Sequence, residues 1–530
     1  MKKILVVALL FIFLLSGCSS DESAPDAQGA LEDKIINSDP IATFLPSANE
    51  LANLNLTPTP DDLINFFPTF TPLAPEQSII TTGFPTPTPS IDGYVVQDGD
   101  YWLTIADAHN ITVEDLLAAN NMSEFDIIYP GDVLKIPGDA IIVQEVVPES
   151  VDFKFSEYHK IIPDSELVYG PSSSNFDLAA FISESGGYLA QYQEEVDSES
   201  WSGLQIIQFI SENYSVNPRI LLAILEDRSS WVTRADPAEA TLEDPFLLSN
   251  QEMIGLYKQA NFVADQLNRG YYSWLSQKNT GVQLKDGTYW KPSLGVNAGT
   301  AGVLHFYANV SDSTEWNYIA SPSGISTTYV RLFGNPFQFA VEPLGPLPGS
   351  QPKLNLPFSS KEEWYFTGGP HGGWGEGSSF SAIDFAPPEE YLGCEVSEHF
   401  ATSVAKGIIV RSGDGVVVLD LDGDGYEQTG WVIVYLHIAS DGSALPGDIE
   451  AGGRIGNPSC EGGYALASHL HIARKYNGQW ISADDPNNPF ILGRYTVIGT
   501  ARSYDGYLRS GNAVEIEAFD GFSDLNKVAW

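Results

Sequence analysis

The sequence predicts a multidomain protein with a small α+β module, a mainly α middle domain and a mainly antiparallel β C-terminal domain. At 530 residues the chain is long enough for three domains. Apolar residues recur at three- and four-residue intervals over 201–214, 217–230 and 251–275, as in amphipathic helices. Near the C-terminus, the apolar runs 415–419 and 431–437 resemble strands that flank a hairpin loop.

Residues 1–17 have the composition of an export signal. Lys2 and Lys3 precede an apolar run over 4–15, which is too short to be a dependable membrane span. The run ends in Leu15-Ser16-Gly17-Cys18, which resembles a bacterial lipobox. This resemblance implies cleavage before Cys18, a diacylglyceryl anchor on its sulfur, and an extracytoplasmic lipoprotein that meets the membrane only through that anchor. An ordinary secretory signal with a chance cysteine is the alternative.

Residues 18–92 are predicted to form a linker that begins at the lipidated cysteine. They contain few basic residues and carry alternating Thr and Pro at 57–60 and 85–89. Such stretches favour extended polyproline-type backbone and cannot bury a core. We therefore expect a tether between the anchor and the folded domains.

Residues 93–138 are predicted to be a compact module. The segments 94–100, 105–106, 112–117 and 128–137 together resemble a LysM module. The resemblance implies a two-stranded sheet with two helices and binding to the glycan strands of peptidoglycan. Tyr101-Trp102 stands where a Thr-Leu pair is commoner, which leaves the affinity open. The candidate glycan-binding residues are Gly99, Asp100, Tyr101, Trp102 and Tyr129.

The middle region, 155–346, is predicted to be helical. The run 216–226 resembles the catalytic helix of lysozyme-like transglycosylases, so we expect a lysozyme-like domain. In that family the catalytic acid directly precedes a serine, whereas here Arg228 precedes Ser229. Glu226 lies two residues earlier. Two residues correspond to a rotation of about 200° around the helix axis, so the Glu226 side chain would be directed away from the cleft. An arginine cannot donate a proton near neutral pH. We expect a glycan-holding domain without catalysis, with a muramidase as the alternative.

Chemistry is predicted in the C-terminal region, where four of the chain's eight histidines form one candidate set. His469 and His471 stand two residues apart, so a strand would direct both imidazoles to one face. His371 and His437 are two further candidates, and Asp384 adds a hard oxygen ligand. Two histidines and one carboxylate are the ligand set of a catalytic zinc with an open position. The pattern therefore predicts a hydrolase.

Residues 355–530 resemble the lysostaphin/LytM-type zinc endopeptidases of bacterial cell walls, most of all the β-lytic (staphylolysin-like) branch. The motifs that carry this resemblance are Gly368-Gly369-Pro370-His371, Asp384, Tyr435-Leu436-His437, Cys460-Glu461-Gly462-Gly463 and His469-Leu470-His471. The resemblance implies that His371, Asp384 and His471 bind zinc. It also implies catalytic roles for the imidazoles of His437 and His469, without deciding which one acts as the base. For Tyr435 two placements are open, since its side chain either reaches the site or packs in the core.

One spacing departs from the commoner family pattern. Many members place the aspartate four residues after the first histidine, whereas thirteen positions separate His371 from Asp384 here. The Gly-rich run 372–377 spans this interval. The β-lytic branch has a long spacer too, so the departure indicates a subfamily and preserves the site.

The cysteines suggest a disulfide. With Cys18 lipidated, only Cys394 and Cys460 remain. An even pair in an oxidising compartment favours a bridge. The β-lytic enzymes have a bridge that involves a cysteine like Cys460, although Cys394 does not match the usual place of its partner.

A second acidic cluster is a candidate calcium loop. Asp420, Asp422 and Asp424 alternate as at the start of an EF-hand loop, but Trp431 stands at the twelfth position, where a bidentate Glu belongs. A solvated hairpin loop is the alternative explanation.

Charge limits the partners. The net charge of −43, with only 26 basic residues, argues against nucleic acid, which proteins bind through Lys and Arg. We therefore predict a membrane-anchored zinc endopeptidase that cleaves peptides of peptidoglycan and whose partners are its glycan strands and peptides. A wall-binding scaffold or activator of other hydrolases, without enzymatic activity, is the alternative from another class.

Overall fold

The structure describes most of the C-terminal two thirds of the chain and a few parts of the preceding module. The computed structural model describes residues 160–530 except 197, 278–280, 294, 389–392, 501 and 512–513. It also describes 94–96, 105–106, 109, 111, 113–120, 122 and 133–136.

Helices dominate the described residues as far as about 340. The α-helices are α1 Val113–Asn120, α2 Leu178–Ser185, α3 Gly203–Tyr214, α4 Pro218–Ser229, α5 Leu256–Leu275, α6 Ala298–Val310, α7 Ser313–Ala320 and α8 Ile325–Phe333. Short 3₁₀ turns lie at Asp164–Glu166, Pro171–Ser173, Tyr188–Gln191, Glu239–Thr241 and Pro336–Phe339.

Strands dominate the remainder of the chain. The first six are β1 Tyr94–Val95, β2 Val133–Leu134, β3 Gln193–Val196, β4 Glu199–Ser202, β5 Val282–Gln283 and β6 Tyr289–Trp290. The strands of the C-terminal domain are β7 Trp364–His371, β8 Ala382–Ala386, β9 Ala401–Thr402, β10 Gly407–Gly413, β11 Val416–Asp420, β12 Trp431–Leu436, β13 Gly447–Ile449, β14 Arg454–Gly456, β15 Leu470–Tyr476, β16 Gln479–Trp480, β17 Ile491–Leu492, β18 Tyr495–Gly499, β19 Gly506–Ser510, β20 Val514–Glu517 and β21 Lys527–Val528.

The described part of the N-terminal module has the predicted α+β character. Strands β1 and β2 pair antiparallel, and Ile105 and Ala106 have helical backbone ahead of α1. A small apolar core joins these pieces through Val96, Ile105, Ala106, Leu116 and Leu134. Both the sheet and the helical segments agree with the arrangement expected from the sequence.

Local signals fix the helices of the middle domain. Ser202 and Gln205 form a capping box at the start of α3. The side chain of Asn217 caps α4 by accepting a hydrogen bond from the Arg219 N–H. The predicted helix over 251–275 begins five residues late, at Leu256. Gly255 precedes it with φ of 95°, a backbone conformation that no helix contains.

The C-terminal domain is built on an antiparallel nine-stranded sheet. Its strand order is β13-β10-β11-β12-β15-β8-β7-β21, and β16 pairs with β15 off this path. A separate antiparallel sheet contains β17 to β20 in sequence order. The mainly antiparallel β class predicted for this region is confirmed.

The large sheet is buried on both faces, because alternate residues of β11 and β12 enter two different cores. One set packs within the C-terminal domain: Val417, Leu419, Ile433 and Tyr435. The other set joins the core of the helical domain: Val416, Val418, Val432, Val434 and Leu436. Strands buried on both sides read as continuous apolar runs instead of alternating ones. The helical domain is therefore the outer cover of this sheet.

Polar contacts also cross the boundary between the helical and C-terminal domains. The Ser215 hydroxyl donates to the Gly478 carbonyl at 2.7 Å. The Trp480 backbone N–H donates to the Tyr272 hydroxyl at 2.8 Å. Among the helices that the structure describes, none combines the length and the apolar character needed to cross a bilayer.

Candidate metal centre

The five predicted site residues lie together at one end of the large sheet. His371 ends β7, Asp384 is in the middle of β8, and His471 is the second residue of β15. His437 directly follows β12, and His469 directly precedes β15. The antiparallel register places His471 opposite Asp384. Irregular pairing between β7 and β8 brings His371 to the same place.

Three donor atoms converge in a buried triad. His371 Nε2 lies 3.0 Å from His471 Nδ1. Each of these nitrogens lies 3.3 Å from Asp384 Oδ1. The three residues are almost completely buried, with 2 to 6% of their surface exposed. All three donors lie within 4.8 Å of one another, which is a geometry that one metal ion can bridge.

Backbone carbonyls fix the tautomers of the two histidines of the triad. His371 Nδ1 lies 2.8 Å from the Gly369 carbonyl oxygen, and His471 Nε2 lies 3.2 Å from the Gly373 carbonyl oxygen. A carbonyl only accepts, so these ring nitrogens carry the protons. In the neutral rings, His371 Nε2 and His471 Nδ1 then carry lone pairs that face each other. Asp384 Oδ1 is buried between them and accepts no hydrogen bond of good geometry.

This donor set fits a zinc ion. Three lone-pair donors at close range repel one another unless positive charge lies between them. Two imidazoles and one carboxylate are a ligand set of catalytic zinc. The outer hydrogen bonds from both rings to carbonyls are the type of support that metal-bound histidines have.

The electrostatics of the triad agree with this fit. Burial alone would raise the pKa of Asp384, but His371 and His469 hold it well below its usual range. Burial lowers the pKa of His371, but Asp384 and the Gly369 carbonyl outweigh burial, so its pKa is raised. For His471 burial prevails and the pKa is lowered. The centre attracts positive charge, and a proton and a metal ion compete for it.

The second pair of imidazoles lies beside the triad. The ring centroids of His437 and His469 are 4.5 Å apart, and His469 Nε2 lies 3.8 Å from Asp384 Oδ1. His437 Nδ1 donates to the Glu461 carbonyl at 2.9 Å, and His469 Nδ1 donates to the Ala467 carbonyl at 2.8 Å. In the neutral rings, both Nε2 atoms are left as lone pairs. These atoms are available for proton transfer.

His437 has two features that a merely structural histidine would not need. Its backbone has φ of 62°, a left-handed conformation that is strained for most residues with a side chain. Burial lowers its pKa well below the ordinary value, and the neighbouring His469 and His471 add to this effect. A neutral imidazole is the form that a general base requires.

Tyr504 belongs to the site but was not found by sequence reasoning. Its ring stacks on His371 with centroids 4.1 Å apart and an interplanar angle of 19°. Burial raises the pKa of Tyr504 to about 12, so the phenol is protonated at neutral pH. It lies in the loop between β18 and β19, far along the chain from the histidine motifs, and no local pattern identifies it.

The disulfide expected between Cys394 and Cys460 is present, with a Cα–Cα distance of 5.3 Å. Cys460 directly precedes Glu461, whose carbonyl orients His437. The bridge therefore ties the segment that supports His437 to the chain around residue 394. The structure resolves the doubt about the partner of Cys460.

Tyr435 and His399 have structural roles. Tyr435 is fully buried, and its hydroxyl accepts a hydrogen bond from the Val404 N–H at 2.9 Å. It packs in the core and does not contribute to the site. His399 lies 3.1 Å from Glu362, outside the cluster of site histidines.

The candidate calcium loop forms the turn between β11 and β12. The carboxylate of Asp420 accepts hydrogen bonds from the N–H groups of Asp422, Gly423 and Gly425. Asp424 accepts from the Tyr426 N–H and the Thr429 hydroxyl. The three carboxylates offer oxygens within 4.8 Å of one another, but these bonds account for the cluster as a hairpin turn. Calcium binding stays a prediction from an incomplete motif.

The acidic residues near the predicted transglycosylase helix serve the fold. Glu226 is buried and accepts hydrogen bonds from Val232 N–H, from Thr233 and from Arg331. Arg228 pairs with Glu315 at 2.6 Å. The remaining predicted site residues, Cys18, Gly99, Asp100, Tyr101, Trp102 and Tyr129, lie outside the described residues.

Comparison with known families identifies two segments. Residues 94–137 match the LysM domain, which confirms the LysM resemblance of this module. Residues 160–346 match the N-terminal domain of LasA. The lysozyme-like fold of this region stays a prediction. Comparison of the chain with curated proteins gives no match.

Several solved structures are similar to parts of the chain. The M23 metalloprotease pseudoalterin from the deep sea is 21% identical, with a TM-score of 0.27, over 32% of this chain and 96% of that one. Csd3 of Helicobacter pylori is 18% identical, with a TM-score of 0.17, over 24% of this chain and 33% of that one. A zinc-containing peptidase from Vibrio cholerae is 17% identical, with a TM-score of 0.18, over 26% of this chain and 41% of that one.

Proposed function

We propose that this protein is a zinc metalloendopeptidase that hydrolyses peptide bonds in the stem peptides or crossbridges of peptidoglycan. The observation that carries the proposal is the convergence of His371 Nε2, His471 Nδ1 and Asp384 Oδ1 in a buried centre. His437 and His469 supply two further imidazoles at the edge of this centre.

His371, Asp384 and His471 would hold the metal. When bound, zinc supplies Lewis acidity toward a substrate carbonyl and a water molecule. One Nε2 lone pair, that of His437 or of His469, accepts the proton of the attacking water. The imidazolium so formed donates a hydrogen bond to the developing oxyanion and then transfers that proton to the leaving amine, which returns the ring to its neutral form.

The substrate class follows from the chemistry and from the attached module. Glycoside hydrolysis usually needs two carboxylates that flank an acetal, and the centre offers only Asp384, which is a metal ligand in this proposal. The LysM match supports binding to the glycan strands of the wall. The match to the LasA N-terminal domain supports a wall-directed peptidase in the same chain. Small-residue bonds, Gly-Gly among them, are the proposed targets.

We further propose that the protein acts outside the cytoplasm, anchored by lipid on Cys18. The lipobox-like Leu15-Ser16-Gly17-Cys18 supports this position. The net charge of −43 disfavours electrostatic attachment to anionic lipid or wall polymer. Attachment therefore rests on the anchor and on recognition of neutral sugars.

The test is digestion of purified peptidoglycan by the full-length protein. New free amino groups should appear, new reducing sugar ends should not, and a zinc chelator should abolish the reaction. New reducing ends would favour the muramidase alternative. A protein that binds peptidoglycan and releases neither product would favour the scaffold.

A further inference from the structure

The loop between β7 and β8 connects the metal centre to the helical domain. It occupies 372–381, directly after His371 and directly before the strand of Asp384. The carbonyl of Gly373 in this loop accepts the hydrogen bond from His471 Nε2, at 3.2 Å. The position of one backbone carbonyl therefore determines which nitrogen of His471 faces the other ligands.

The loop has little freedom around that carbonyl. Its backbone is closed by hydrogen bonds from the Gly373 N–H to the Ser379 carbonyl, and from the Trp374 N–H to the Ser378 hydroxyl. A Cβ on Gly373 would lie 2.2 Å from Ser381 Oγ and 2.5 Å from the Trp480 ring, so the loop is packed tightly against the sheet.

The other side of the loop is held by the helical domain. The Gly377 N–H donates to Asp265 Oδ1 of α5 at 2.6 Å. A Cβ on Gly377 would lie only 2.0 Å from the backbone carbonyl of Asp265. The ring of Trp374 is 6% exposed and makes edge contacts with Tyr214 and Phe209 of α3.

We propose that the helical domain positions the metal ligand His471 through this loop, with Asp265 as the positioning residue. The connection runs from Asp265 to Gly377, through the packed loop to the Gly373 carbonyl, and from there to His471 Nε2. If Asp265 no longer holds the loop, the Gly373 carbonyl moves and the His471 ring loses the bond that keeps its Nδ1 directed at the centre. This inference rests on the proposed zinc site.

The experiment measures zinc affinity in the full-length protein by competition with a chromophoric chelator. Outer partners of metal-bound histidines typically contribute 10- to 100-fold in affinity. Asp265 acts through a loop, so we expect Asp265→Ala to raise the zinc Kd by about tenfold, at the lower end of that range. Asp265→Asn keeps an acceptor oxygen and should stay within about threefold of the unchanged protein. Gly377→Ala displaces the loop from its other side and should raise the zinc Kd by as much as Asp265→Ala does.

The control is Asn261→Ala, one turn earlier on the same helix. Asn261 is buried and donates to the Tyr257 carbonyl of its own helix. This variant should lower the melting temperature while the zinc Kd stays within about threefold. A second readout is the visible spectrum of the cobalt-substituted protein, which should shift in Asp265→Ala and Gly377→Ala but not in Asn261→Ala.

The outcomes separate this inference from the proposed function. An unchanged zinc Kd in Asp265→Ala and Gly377→Ala overturns the positioning role. An equal loss of affinity in Asn261→Ala overturns it too, because general destabilisation would then explain the effect. If the wild-type protein binds no zinc, the proposed function itself is contradicted, and the positioning role of Asp265 loses its basis as well.

Discussion

Two histidines that are separated by one residue should respond differently to truncation. His471 Nδ1 lies 3.0 Å from His371 Nε2 inside the triad, whereas His469 Nε2 lies 3.8 Å from Asp384 and its side chain is 20% exposed. His471→Ala removes one of the three proposed ligands and should raise the zinc Kd by more than about 100-fold, beyond the contribution of an outer partner. His469→Ala leaves all three proposed ligands in place.

The expected size of the catalytic loss follows from the proposed role. General acid–base catalysis contributes about 10²- to 10⁴-fold, so kcat of His469→Ala should fall by that factor. This range corresponds to about 3 to 5 kcal/mol in activation free energy. Zinc stoichiometry by elemental analysis and release of amino groups from peptidoglycan measure the two effects. His399→Ala, which alters a partly exposed histidine outside the centre, is the control and should change neither.

Equal loss of zinc in His469→Ala and His471→Ala would refute this division of roles. Full activity in His469→Ala with zinc retained would refute the catalytic role while leaving the metal site intact.

Three further changes test the surrounding structure. Replacing Cys394 and Cys460 by Ser should lower the free energy of unfolding by about 2–4 kcal/mol in a urea titration, and an unchanged value would contradict a stabilising bridge. Burial raises the pKa of Glu166 to about 7 despite its pairing with Arg219, so the protonated form is favoured in the folded state. The contribution of Glu166 to the free energy of unfolding should therefore be greatest below about pH 4.5. It should decline by about 3 kcal/mol as the pH rises through 7. Glu166→Gln should remove that component, and identical pH profiles of melting temperature would contradict it. Glu226→Ala should lower the free energy of unfolding by about 3 kcal/mol, because it leaves Arg331 and two backbone N–H groups unpaired. The products released from peptidoglycan should not change. Reducing ends that the wild-type protein releases and Glu226→Ala does not would indicate a muramidase.

The sequence predicted which residues of the candidate site lie together, because short spacing and strand geometry constrain their positions. His469 and His471 are two residues apart, so their association needed no tertiary information. His371 and Asp384 are separated by a Gly-rich loop, and their pairing was assigned through the family resemblance. Tyr504 was missed, because its position depends on packing between distant loops.

The relation between domains was harder to predict. The apolar runs of β11 and β12 suggested strands, but they did not reveal that one face would pack on helices of the preceding domain. The role of Asp265 was not predicted either, since a carboxylate on an amphipathic helix reads as a solvated side chain. Its partner is a backbone N–H more than a hundred residues away.

The most direct test of the central claim is hydrolysis of peptidoglycan in water enriched in oxygen-18, followed by mass spectrometry of the fragments. The proposed chemistry adds water across an amide, so each new peptide carboxylate should carry one heavy oxygen and each cut should also release an amine. The label should be absent from the peptides when a chelator has removed the metal, and the number of reducing sugar ends should not rise above that of untreated peptidoglycan. New reducing ends, or unlabelled peptides with intact amide bonds, would contradict the assignment of a zinc endopeptidase.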